Sequence, residues 1–150
     1  MGYSKAIDKE ELAKSFWENY LRYAEVKVKE SDNVRVTEDT NKTWSGTSET
    51  DLYQITSKVQ GKIKLKVKIR KTAGGSDYGA NIKVYKNESL LTTLINTSYE
   101  WVIKSTTIEV AENDIIKLTG YCTQAEVSGE CDTVYLCYDL DVRQFEVEVL

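Results

Sequence analysis

The sequence predicts a mainly β protein: an antiparallel, jelly-roll-like β-sandwich with one N-terminal amphipathic α-helix. Three observations carry this. Residues 61–118 hold successive stretches in which polar and apolar residues alternate: GKIKLKVKIRK (61–71), ANIKVYKNESLLTTLI (80–95), YEWVIKSTTIEV (99–110) and ENDIIKL (112–118). A period of two gives a sheet with one wet face and one dry face. Turn chemistry punctuates these stretches, at Asn87-Glu88, at Asn113-Asp114 and in the glycine-rich TAGGSDYGA (72–80). With no proline in the chain, the turns rest on Gly, Asn, Asp and Ser. Helical periodicity is confined to the first residues.

Residues 8–24 have that helical pattern. Asp8 is a suitable N-cap, and Glu11 follows three residues later as in a capping box. Leu12, Ala13, Phe16, Trp17, Tyr20 and Ala24 share one face, and Lys9, Lys14, Glu18 and Arg22 the other. The segment 1–24 is therefore expected as a docking or capping helix, and 25–150 as the sandwich domain. Leu12, Phe16, Trp17 and Tyr20 form the candidate interface. Packing back on the sandwich is the alternative use of the same stripe.

The remaining elements follow in order. AEVKVKE (24–30) and NVRV (33–36) read as short strands about a Ser-Asp-Asn turn. Residues 37–51 are polar and rich in Thr and Ser, a loop or an edge strand with a long connection. Trp44 is alone in it and is expected to fold back as an anchor. LYQITSKV (52–59), LTGYC (118–122), TVYLCYDLDV (133–142) and QFEVEVL (144–150) complete the strands. Lys62, Lys64, Lys66, Lys68 and Arg70 share one face of a strand whose other face is Ile63, Leu65, Val67 and Ile69. Glu146 and Glu148 alternate likewise with Phe145, Val147 and Val149. Opposite charges across a strand pair favour pairing, so the lysine strand is expected beside 144–149.

Composition narrows the function. A chain of 150 residues buries roughly 70% of the surface its unfolded form exposes, enough for one core without a metal or a disulfide. The net charge of −4 argues against nucleic acid as a partner. No apolar run reaches the ~20 residues of a membrane span, and MGYSKAIDKEEL has no signal-like core. The absence of histidine removes His-based catalytic triads and His-containing zinc sites. Cys122, Cys131 and Cys137 lack zinc-ligand spacing and read as buried reduced thiols, although Cys122 and Cys131 flank a loop that a disulfide could close.

No catalytic, cofactor or metal residue is assigned. Asp139 and Asp141 are two apart on a predicted strand and read as an exposed face rather than an acid pair. Asp77, Asn81, Glu112, Asn113 and Asp114 lie in turns but lack calcium-loop spacing. The triplets at Asn41, Asn87 and Asn96 fit the glycosylation pattern by composition. Ten tyrosines and three tryptophans outweigh two phenylalanines, which suits partly wet faces. Tyr78, Tyr85, Tyr99, Trp101, Tyr121, Tyr135 and Tyr138 include candidate rings for a sugar platform, with most expected in the core or on a sheet face.

The order of elements from about residue 34 resembles a β-sandwich domain of bacteriophage virion proteins, the tail and baseplate components especially. The resemblance rests on the Thr/Ser-rich connection 37–51, Tyr53, Lys58-Val59, Gly61-Lys62-Ile63, the run Ala80 to Asn87, Tyr99 to Trp101, Ile108-Glu109-Val110, Asn113 to Leu118, and Val142 to Val147. It departs where the family has Gly-Asp and Asn-Gly turns, since Asn113-Asp114 and Asn87-Glu88 stand there. The resemblance implies a non-enzymatic structural component of a phage particle or tail-like assembly, made in the host cytoplasm. It implies other virion proteins as partners and a homo-oligomer, a trimer or ring. A capsid decoration or head-fibre protein and a carbohydrate-binding module are the alternatives, the latter with a glycan as partner.

Overall fold

A computed structural model describes residues 27–141 and 143–150. The predicted helix 8–24 and its stripe of Leu12, Phe16, Trp17 and Tyr20 lie outside the described residues. Eleven strands run β1 Lys27–Val28, β2 Val34–Glu38, β3 Lys42–Ser45, β4 Thr50–Ser57, β5 Gln60–Ala73, β6 Ala80–Lys86, β7 Ser89–Leu94, β8 Val102–Val110, β9 Ile115–Cys122, β10 Ser128–Cys137 and β11 Phe145–Val149. There is no helix among the described residues.

The strands form two sheets. In the six-stranded sheet, β5 lies between β8 and β10, and β2 and β3 pair with the far side of β10. β1 runs parallel to the start of β5, and the other pairs are antiparallel. The five-stranded sheet has the order β11-β4-β9-β6-β7. The predicted two-layer β architecture is thus present.

Alternation explains the layers. Ile63, Leu65, Val67 and Ile69 of β5 are fully buried, as are Ile82 and Val84 of β6 and Ile116 and Leu118 of β9. Each such side chain stabilises the fold by about 1.5–3 kcal/mol over exposure. Trp44 folds back as expected and is 4% exposed. Its indole enters between the layers, and Nε1 donates to the Tyr121 carbonyl at 3.3 Å. Gly120 of β9 and Gly129 of β10 make room for it. A Cβ on Gly120 would stand 2.4 Å from the ring, and one on Gly129 2.6 Å.

Asn87 and Glu88 both adopt positive φ, 49° and 72°, in a two-residue hairpin turn of the kind whose twist suits a β-ribbon. Asn113 does the same before β9, at 69°. Cys122, Cys131 and Cys137 are buried, unpaired thiols.

The strand-order expectation for the lysine strand is corrected. β5 does not neighbour β11, which pairs with β4 in the other sheet. Four of the five outward cations of β5 are matched elsewhere among the described residues: Lys64 and Lys66 reach Asp32, Lys64 also Glu30, Lys68 Asp132, and Arg70 Glu130. The Lys64 hydrogen bond and charge hold the Asp32 carboxyl below its usual range. Exposed pairs contribute at most about 1 kcal/mol each, too little to choose a strand's neighbours against the packing of its apolar face. Of the two readings of the polar stretch 37–51, the edge strand is the one found: it contains β3, which among the described residues pairs with β10 alone, between the end of β2 and the start of β4.

Candidate functional site

The outer face of the five-stranded sheet carries a groove. Its floor comes from β4, β9 and β6. Along β9, the outward Ile115, Lys117, Thr119 and Tyr121 alternate with the inward Ile116, Leu118 and Gly120, and Thr119, although on the outer face, is itself covered. From β6, Lys83 and Tyr85 point the same way, opposite Thr119 and Lys117 in register. On β4, the pairing with β9 slips by one residue between Asp51 and Tyr53. That bulge puts Asp51 and Gln54, three apart, on the same face and sends Leu52 and Tyr53 into the core. The groove so formed has a volume of about 640 Å³ and is bounded by Glu49 at one side and by the Asn87-Glu88 turn at the other. This lies within the usual size of a small-ligand site, roughly 300–1,000 Å³.

One carboxylate organises the groove. The Tyr85 hydroxyl donates to Glu49 Oε1 at 2.5 Å, and the Thr119 hydroxyl to the same oxygen at 2.7 Å. Lys83 Nζ stands 3.8 Å from Glu49 Oε2 and 4.6 Å from the centre of the Tyr121 ring. Lys117 pairs with Asp51 at 2.9 Å. The hydrogen bonds from Tyr85 and Thr119 hold the Glu49 carboxyl below its usual range. The Tyr85 phenol is raised reciprocally, to about 12, first by its bond to the Glu49 carboxylate.

A second aromatic cluster sits at the end of the sandwich where the loops 74–79 and 95–101 meet. Lys71 is buried at 1% exposure, and its ammonium donates to the carbonyls of Gly75 (2.5 Å) and Tyr78 (3.1 Å). It also lies 4.7 Å from the centre of the Tyr99 ring, and the Tyr99 hydroxyl donates to the Gly74 carbonyl. The Arg70 guanidinium lies 4.5 Å from the centre of the Trp101 ring.

The candidate rings therefore divide. Tyr85 and Tyr121 line the groove face, while Tyr78 and Tyr99 stand at the loop end. Tyr138 is core, packed on Phe145 at 5.4 Å. They form no single row. Asp139 and Asp141 are not on a strand, because β10 ends at Cys137. Arg35 draws that segment aside by donating to the Tyr138 and Asp139 carbonyls and to Asp141. The turn residues weighed for calcium are not brought together. Asp77 and Asn81 lie at one end of β6, and Glu112 to Asp114 at the other. No group that could hold a metal ion occurs among the described residues.

Sequence reasoning missed Glu49, Thr119 and Lys71. Glu49 meets Tyr85 and Thr119 from 36 and 70 residues away, with no local signal. Lys71 did carry one: it has the inward parity of Ile63 to Ile69.

No family model and no curated protein matches the sequence. Solved structures do match the fold. Its fold is shared with carbohydrate-binding modules. A family 35 carbohydrate-binding module from an environmental isolate aligns at a TM-score of 0.52 and 12% identity, over 80% of this chain and 91% of that one. A family 35 module in complex with a glucuronic-acid-containing disaccharide aligns at 0.50 and 15%, over 83% and 89%. A family 36 module in complex with calcium and xylotriose aligns at 0.50 and 12%, over 75% and 95%. These matches overturn the resemblance to phage virion domains. The short motifs behind it, such as Gly61-Lys62-Ile63 and Asn113-Asp114, are strand starts and turns that the sandwich itself requires, so they carried architecture and no lineage.

Proposed function

We propose that this domain is a non-catalytic carbohydrate-binding module whose site is the groove on the five-stranded sheet. The Glu49–Tyr85–Thr119 network within a groove of about 640 Å³ is the observation that carries this reading. It fixes a carboxylate, a phenol and a hydroxyl in one geometry before any ligand arrives, so little ordering remains to be done on binding. Sugar hydroxyls both donate and accept, and the groove offers both kinds of partner. Gln54 adds an amide, and Ile115 an apolar patch for the C–H face of a pyranose ring. Two modules of the same fold hold oligosaccharides, a xylotriose and a glucuronic-acid disaccharide. That likeness supports the class of ligand and leaves the site to be argued from this chain's own residues.

A glycan array followed by titration of the best ligand tests this. Binding is expected, with amide shifts clustered at Tyr85, Lys117 and Thr119. Glu49→Gln and Tyr85→Phe are expected to weaken it about tenfold or more, one charge-assisted hydrogen bond being worth roughly 1.5–3 kcal/mol. An array without binders, or affinity indifferent to both substitutions, overturns the reading.

A further inference from the structure

The groove's inventory of donors and acceptors is lopsided. Its lining holds the carboxylates of Glu49, Asp51 and Glu88 against the single ammonium of Lys117. That ammonium is already paired with Asp51 at 2.9 Å. Lys83, the next cation, is held between Glu49 and the Tyr121 ring. The Tyr85 and Thr119 hydroxyl protons both point to Glu49 Oε1. Asn87 is turned away, its amide donating to Asp114 and its oxygen accepting from the Ile115 N–H. Apart from the Gln54 amide, which can donate as well as accept, what the groove presents to a ligand is chiefly carboxylate oxygen.

We infer that, if the groove is the glycan site proposed above, it takes neutral oligosaccharides and rejects those that carry a uronic acid there. Vicinal sugar hydroxyls can donate to Glu49 Oε2, to the outer oxygen of Asp51 and to Glu88, each a charge-assisted bond. A uronate carboxylate has no proton to give. It would set acceptor against acceptor and like charge against like charge at three carboxylates, with the charges of the two nearby cations already partly offset by Asp51 and Glu49.

The test titrates the intact chain with xylotriose and cellotriose, and with trigalacturonate and an aldotriouronic acid, following groove amides by NMR. Neutral trisaccharides are expected to bind at least tenfold more tightly than the acidic ones. Raising the salt should narrow the gap, because partly exposed charges are screened. The double variant Asp51→Asn with Glu88→Gln should narrow it further. Acidic sugars binding in the groove as tightly as neutral ones would overturn this selectivity and leave the glycan reading standing. If no sugar of either class shifts the Tyr85, Lys117 and Thr119 amides, both fall together.

Discussion

The Tyr85 hydroxyl and the Glu49 carboxylate are joined by a 2.5 Å hydrogen bond across the outer face of one sheet. The bond shifts both groups in opposite senses. Tyr85 is raised from 10.0 to about 12, so its share of the bond is intact below pH 10 and is lost as pH rises through about 12. Glu49 is lowered, so its share is intact above the ordinary carboxylate value and is lost as pH falls through the depressed one. Sugar affinity should accordingly stay level from pH 5 to pH 9. In Glu49→Gln, the Tyr85 ionisation followed by NMR should fall back toward 10. Persistence near 12 in that variant would show that the carboxylate is not its cause.

Lys71 supplies a second test. Its buried ammonium ties the carbonyls of Gly75 and Tyr78 together. Lys71→Met keeps the side chain's length and loses those bonds. Stability should drop by about 2 kcal/mol or more, the cost of leaving such acceptors without their charged donor. Limited proteolysis should then cut first within residues 74–79. Unchanged protection of that loop would deny Lys71 its organising part.

The Trp44 slot is tight on both sides. Gly120→Ala and Gly129→Ala should each cost about 1–3 kcal/mol in chemical denaturation, because the new methyl overlaps the indole. Trp44→Ala should cost about 3–5 kcal/mol by opening a cavity between the sheets.

Glu88 adopts φ 72°, a conformation that glycine takes without strain. Glu88→Gly is expected to raise the stability of the unliganded protein by about 0.5–1 kcal/mol, part of the roughly 1–2 kcal/mol that a left-handed residue costs. A thermal melt decides it, and a fall would mean that the Glu88 side chain has a stabilising contact of its own.

The core thiols should be silent. Burial raises all three, and takes Cys131 up to about 12. A thiol reagent at pH 8 should label Cys122, Cys131 and Cys137 only after denaturant is added.

Much of the fold could be read from residue order, because alternation reports burial directly. The inward row Ile63, Leu65, Val67, Ile69, the left-handed turn at Asn87-Glu88 and the anchoring of Trp44 all follow from local chemistry. Strand order did not follow. Matching lysines to glutamates put β5 beside β11, but Asp32 and Asp132 were equally able to meet those lysines from elsewhere, and Glu130 to meet Arg70. The groove was hidden for another reason. Strict alternation puts Asp51 and Gln54 on opposite faces, and only the slip in β4 reunites them. Nothing in the chain near Glu49 announces Tyr85 and Thr119, which arrive through β6 and β9 once the sheet is assembled.

The groove floor joins three strands whose order in space, β4-β9-β6, scrambles their order along the chain. No excised hairpin reproduces it, and a single transplanted loop could not confer it on another scaffold. Whatever occupies it bridges early, middle and late parts of the polypeptide at once. Its occupant should therefore act as a clasp on the whole sandwich, and a melting temperature that climbs with ligand concentration becomes a gauge of occupancy.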